Sequence, residues 1–162
     1  DGYQLMHLIG TLRKPYVALI NGITMGAGCG LAVNGRFRVA SEKTLLSMPE
    51  TALGFFPDTG ASHFLSRLKN NLGVFLALTG HALQGADTFH AGLATHYVPS
   101  SRVQELEEHL LSLSSHNEHS VDAAIRSFQP KEVLEFSLSQ HLPAIRKAFS
   151  ASTVEEIFSN LR

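Results

Sequence analysis

The sequence predicts an α/β fold that ends in a helical region, and three observations predict it. Short apolar runs rich in β-formers fall only within residues 1–98. Glycine- and proline-marked turns separate them from segments of helical spacing. From residue 102 onward the apolar residues recur at helical intervals only, with acidic residues on the opposite face.

The elements follow in order. Tyr3, Leu5, Met6, Leu8, Ile9 and Leu12 recur near helical spacing, and Lys14-Pro15 ends that helix because proline disfavours helix in the residue before it. Residues 16–20 (YVALI) form a buried strand, and Asn21-Gly22 a turn. Residues 26–33 read as a small-residue helix packed closely on its neighbours. The alternation in 36–40 (RFRVA) and the run 44–48 (TLLSM) give two further strands. Residues 49–57 lack a period and read as loop. Helices are expected over 59–68, over 72–78 before Gly80, and over 87–91 before Gly92. Residues 94–98 (ATHYV) form the last strand. The amphipathic pattern over 103–113 is a helix, 114–120 (SSHNEHS) a polar linker, and 121–128 a helix stopped by Pro130. Segments 133–138, 144–149 and 153–161 continue the helical pattern, with Thr153 and Glu156 at capping-box spacing. Residues 1–98 thus form an α/β core and 99–162 a helical region of the same domain.

Composition narrows the function classes. A chain of 162 residues with 44% hydrophobic and 17% charged residues is one domain long and has enough apolar material for a core. Its longest apolar runs, such as 74–78, are too short to span a bilayer, so no membrane partner is expected. A net charge of −1 supplies no basic field, so no nucleic-acid partner is expected either. One cysteine, Cys29, excludes an internal disulfide and fits a reducing compartment. Nine histidines are scattered without metal-ligand spacing, and no metal is expected. The chain opens on Asp1, inside what reads as the middle of a helix, and is expected to be a piece of a longer protein.

Two motifs carry chemistry. In residues 21–30 (NGITMGAGCG) a strand feeds a glycine-rich turn and a helix start. The spacing G-x-G-x-G of Gly26, Gly28 and Gly30 fails the dinucleotide fingerprint, and the Lys-Ser/Thr of a P-loop is absent. What remains is a tight turn whose orphan N–H groups suit an oxyanion. The structural alternative is a glycine-rich helix pressed onto a sheet, and on spacing alone it is the stronger. Cys29 lies among small apolar residues with no adjacent base and reads as a structural thiol.

The second motif holds Glu50 in Met48-Pro49-Glu50 and, eight residues later, Asp58 in GFFPDTG. Taken singly, Glu50 reads as a solvated loop acid and Asp58 as a helix N-cap. Together, flanked by Leu53, Phe55 and Phe56, they read as carboxylates against apolar walls, suited to act as acid, base or nucleophile. His63 reads as a helix-face residue, and His90 and His96 as packing residues near a strand.

The run 14–68, with KPYVALI, GITMGAGCG, MPET and GFFPDTG, resembles the crotonase (enoyl-CoA hydratase/isomerase) superfamily. Continuing through FLALTG (75–80), AGLATHYV (91–98) and TVEEI (153–157), it is similar to the hydrolase branch of that superfamily over essentially the whole chain. That branch cleaves thioesters of small 3-hydroxyacyl-CoA molecules in valine breakdown. The resemblance implies a crotonase-like spiral of ββα turns, present here in part, before the helical region. It implies an acyl-CoA substrate, no cofactor beyond the CoA of that substrate, a mitochondrial location, and possible self-association through the C-terminal helices.

By match to the motif, the Ala27 N–H is one of two oxyanion donors, with Gly26 and Gly28 beside it; the other donor and much of the CoA site come from an upstream segment. Where the family commonly has glycine, Ala27 keeps the N–H but adds a methyl group. The hydratase branch has a catalytic Glu at the position of Gly30 as well as at Glu50, so hydration by paired Glu is disfavoured. Asp58 matches an acid of the hydrolase branch. An acidic residue of the family just before Tyr3 is here Gly2, with Asp1 beside it. The resemblance implies Glu50 as nucleophile or as base for water, and Asp58 as the group that orients or protonates. Two other readings stand beside this one: an enoyl-CoA hydratase or isomerase, and a non-catalytic interaction protein of the mitochondrial-ribosome-associated type.

Overall fold

Each pass of the chain lays one strand in each of two small sheets, and this alternation organises the molecule. The computed structural model describes residues 1–162. After helix α1 (Gly2–Thr11), strand β1 (Val17–Ile20) enters the first sheet and β2 (Ile23–Met25) the second, and α2 (Ala27–Val33) closes the unit. Strands β3 (Phe37–Ala40) and β4 (Leu45–Ser47) repeat the step. Helices α3 (Ala61–Leu65) and α4 (Leu72–Thr79) follow, then β5 (Leu83–Gln84), α5 (Ala86–His90) and β6 (His96–Tyr97). The strand orders are β1-β3-β6 and β2-β4-β5. The first sheet is parallel, with Val17 opposite Phe37 and Val39 opposite His96. In the second, β2 runs parallel to β4 and β5 antiparallel to it. The architecture is that of a ββα spiral, and it is α/β as the sequence predicts.

After β6 the regular structure is helical: α6 (Val103–Ser112), α7 (Glu118–Phe128), α8 (Leu142–Ala148) and α9 (Val154–Asn160). Helices α6 and α7 cover the first sheet, and α8 packs on α4 with α9 beside it. Leu106, Val121, Ile125 and Phe128 pack with Phe37, Val39 and Val98 on the first sheet. Ile145, Ala148, Phe149 and Ile157 join Ile20, Leu46, Leu76 and Leu83 in the main core. No helix is long and apolar enough to cross a membrane.

Several expectations are corrected. Strands β2 and β5 are absent from the sequence reading because two or three residues are too short to show a period. The helix expected over 59–68 shortens to α3, because Thr59 (φ 48°) and Gly60 (φ 89°) adopt left-handed backbone before it. Beyond it, Lys69–Asn71 is a 3-10 turn with Asn70 and Asn71 also at positive φ. The helix expected over 133–138 is absent. The segment's polar groups are taken by α5 instead: the Ser137 N–H donates to Asp87 Oδ1 at 2.9 Å, and His90 Nε2 to the Leu134 carbonyl at 2.7 Å. The second half of the polar linker is the start of α7, with the Asn117 side chain accepting from the Ser120 N–H at 2.9 Å. In the predicted loop, Glu50–Leu53 is a 3-10 turn closed by left-handed Gly54.

Candidate active site

Helix α2 is the platform of the site. Strand β2 delivers the chain to Gly26, whose φ of 52° turns it sharply into the helix. A side chain there would be strained, and it would also collide: a Cβ on Gly26 would lie 3.0 Å from Glu50 Oε1. The absence of that side chain is what lets Glu50 approach the start of α2. The Gly26 N–H is already given to the Ser47 carbonyl at 3.2 Å, so this residue shapes the turn and is not a free donor. Ala27 and Gly28 occupy the first helical turn, where N–H groups have no carbonyl four residues back within the helix. Ala27 is exposed and Gly28 half-buried.

Glu50 opens the 3-10 turn after Pro49 and is 7% exposed. Its Oε2 is buried without a hydrogen-bond partner. A carboxylate so placed carries the cost of lost hydration, and the positive end of α2 beside it offsets part of that cost. Leu53, Phe55 and Phe56 do not build its enclosure, contrary to the sequence reading. They are exposed, with the two phenylalanine rings stacked at 4.3 Å on the surface.

Asp58 reaches the same helix by another route. The residue after it, Thr59, packs on Gly30, one turn along α2 from the Glu50 contact. A Cβ on Gly30 would meet Thr59 Cβ at 2.6 Å, Thr59 O at 2.9 Å and Met6 Sδ at 2.9 Å. Gly30 lies four positions after Gly26, a rise of about 6 Å. The two carboxylate-bearing turns are therefore seated on neighbouring turns of one helix. Asn34 ties the second of them down: its Nδ2 donates to Gly30 O at 2.8 Å and to Thr59 O at 3.0 Å. Asp58 is half-buried and is not the side-chain N-cap of α3, whose cap position is Gly60. Its Oδ2 instead accepts a hydrogen bond from the Tyr3 hydroxyl at 2.9 Å.

The sequence reading missed the roles of Tyr3, Asn34 and Thr59. No local spacing links Tyr3 to Asp58, 55 residues away, or Asn34 to Thr59, 25 residues away. Cys29 sits as expected, fully buried, with its sulfur 3.2 Å from both the Thr24 and Ser47 carbonyls, which share its one thiol proton. Burial pushes the thiol up to about 12, and the Glu50 charge adds to that rise. It is no nucleophile at neutral pH. His63 is exposed on α3, while His96 is buried in β6. His90 lies at the surface, bound to Leu134 O.

Beside the helix start, an open apolar groove of about 610 Å³ runs along Ile23, Met25, Gly28 and Leu31. A buried unpaired carboxylate, an exposed helix-start amide and a neighbouring apolar groove together suit acyl chemistry: the amide for a developing oxyanion, the carboxylate for attack or proton removal.

A family model described as enoyl-CoA hydratase/isomerase matches residues 1–162. Among curated proteins, the chain is 49% identical to human mitochondrial 3-hydroxyisobutyryl-CoA hydrolase and 51% identical to the Danio rerio protein of the same name, each over 166 aligned positions. All of the chain is covered, but only 43% and 44% of those relatives. Among solved structures, a carnitinyl-CoA dehydratase from Mycobacterium thermoresistibile superposes with a TM-score of 0.87 at 35% identity, over 100% of this chain and 46% of that one. An enoyl-CoA hydratase from Rhodobacter sphaeroides gives 0.82 at 31%, over 99% and 44%. The chain spans less than half the length of these relatives.

Proposed function

The chain belongs to the enoyl-CoA hydratase/isomerase family, and we propose that its protein hydrolyses the thioester of a small 3-hydroxyacyl-CoA, taking 3-hydroxyisobutyryl-CoA to 3-hydroxyisobutyrate and CoA. Relatives named 3-hydroxyisobutyryl-CoA hydrolase are 46–51% identical to it. Their names also support a mitochondrial location. The substrate supplies its own CoA, and no other cofactor enters the scheme.

The observation that carries the reading is the pairing of Glu50 with Gly30. Glu50 is buried and unpaired at the start of α2. The position where a second catalytic Glu would stand is a glycine sealed by Thr59 and Met6. Water addition across a double bond by two glutamates has no room here, whereas thioester cleavage needs only one.

In the proposed sequence the thioester oxygen lies at the Ala27 N–H, which stabilises the charge that develops as the carbonyl is attacked. Glu50 attacks that carbon and expels the CoA thiolate, leaving a mixed anhydride that water then cleaves; alternatively it takes a proton from the attacking water. Isotopic oxygen from labelled water, found in Glu50 after a single turnover, distinguishes the first route from the second. Asp58 orients the reacting groups or supplies a proton to the leaving group.

The test is Glu50→Gln in the full-length protein. Turnover of 3-hydroxyisobutyryl-CoA is expected to fall by about 10²–10⁴-fold, with unchanged melting temperature. Wild-type turnover in that variant removes Glu50 from the mechanism. A well-folded wild-type protein that leaves this thioester intact overturns the reading and favours a non-catalytic role.

A further inference from the structure

We propose that Tyr3 is a positioning residue that holds the Asp58 carboxylate in its working orientation. The proposal rests on the reading of Asp58 given above. The phenol donates to Oδ2 at 2.9 Å, and Asp58 has no other side-chain partner and no salt bridge. With Oδ2 fixed, Oδ1 has no protein donor and is left for the reacting group.

The surroundings make this contact a built one. On the Asp58 side, the backbone turn is already immobilised: Asn34 holds the Thr59 carbonyl, and the Ala61 N–H donates to the Asp58 carbonyl at 2.8 Å. What the turn leaves free is rotation of the Asp58 side chain, and Tyr3 removes that freedom. On the other side, α1 is docked by buried Met6 and Ile9, and Met6 lies at Gly30 beside the same turn. Tyr3 is 59% exposed, so packing does not explain its placement. The hydrogen bond to Asp58, and then its negative charge, hold the Tyr3 phenol above its ordinary range, so it remains a donor at neutral pH.

A residue that acts only through another has a recognisable kinetic form. In the full-length protein, Tyr3→Phe is expected to lower kcat about tenfold with little change in KM, since one hydrogen bond to a charged group is lost and no substrate contact. Asp58→Asn loses more. The double variant is expected to match Asp58→Asn alone, because Tyr3 has nothing left to orient. Ultraviolet titration supplies a readout independent of activity: the Tyr3 phenol ionises at lower pH in Asp58→Asn than in the wild type. Wild-type kcat in Tyr3→Phe, or a double variant whose losses multiply, overturns the proposal while leaving the Asp58 reading intact. Wild-type turnover in Asp58→Asn overturns both, and is recognised because it needs no Tyr3 variant.

Discussion

Replacing Gly30 with alanine tests the seat of the Asp58 turn directly. An added Cβ would stand 2.6 Å from Thr59 Cβ and 2.9 Å from both Thr59 O and Met6 Sδ. Met6 is a flexible side chain and can swing aside. Thr59 cannot, because its backbone is at φ 48° and its carbonyl is held by Asn34. Overpacking of a stiff contact costs up to about 3 kcal/mol. Alanine returns about 1 kcal/mol of helix propensity relative to glycine. The net loss is about 2 kcal/mol, which lowers the melting temperature by about 4–8 °C for a cooperative unit of this size and by less where more of the protein melts with it. Because relief can come only from displacing the 58–60 turn against those restraints, turnover should fall by more than stability alone explains; a displacement near 1 Å costs about 10²-fold. Thermal melts and thioester cleavage by the full-length protein read the two effects separately. A Gly30→Ala protein that melts at or above the wild-type temperature with undiminished turnover refutes the argument that Thr59 is pressed on α2. Gly30→Glu should confer no hydration of crotonyl-CoA, since the same atoms occupy the space.

Two further outcomes follow from the ionisable groups. Cys29, buried and with its thiol raised to about 12, should react with a thiol reagent at mildly alkaline pH only as fast as the protein opens, and rapidly in denaturant; fast labelling of the native state refutes this. Burial lowers the pKa of His96 below its ordinary 6.5, against an opposing pull from Asp122 at 3.2 Å. The unfolded chain then binds more protons than the folded one between the lowered value and 6.5, so the His96 contribution is complete above 6.5 and is lost as pH falls through that window. Asp122 is itself held low, chiefly by its bond to Arg126, so its contribution is lost only at more acidic pH. Denaturation curves at about pH 7.5 and about pH 5.5 should therefore separate in the wild type and draw together in His96→Gln; an equal separation in both removes His96 from the account.

The parts of the fold legible in the sequence are those whose signal is local. Strands β1, β3 and β4 announce themselves as runs of β-formers, and α6 by its apolar stripe. Strands β2 and β5 do not, because they exist only through their pairing with β4, with Ile23 opposite Leu45 and Leu83 opposite Leu46. Residues 133–138 have a helical pattern, yet α5 outcompetes a local helix for their polar groups through Asp87 and His90. In the site, the identities of Glu50 and Asp58 are legible through the motif, but their environments are not. Leu53, Phe55 and Phe56 are neighbours in sequence and face solvent, whereas Tyr3 and Asn34 are remote in sequence and hold the Asp58 turn.

Under the proposed function, the two readings of the glycine motif, a tightly packed helix and a helix start that binds an oxyanion, are complementary. Gly26 lacks the Cβ that would meet Glu50, and Gly30 lacks the one that would meet Thr59. Between them, the Cys29 thiol shares its one proton between the carbonyls of Thr24 in β2 and Ser47 in β4, locking α2 onto the sheet. Close packing at these three positions brings one carboxylate-bearing turn to the first turn of α2 and the other to the next. Ala27, the exposed residue of the first turn, is where the helix can lend an N–H without giving up a packing contact. Substitutions at 26 and 30 should therefore move stability and turnover together, while changes at 27 that keep the N–H should act on turnover alone. In the proposed mechanism the small residues place the carboxylates and the helix start serves the chemistry.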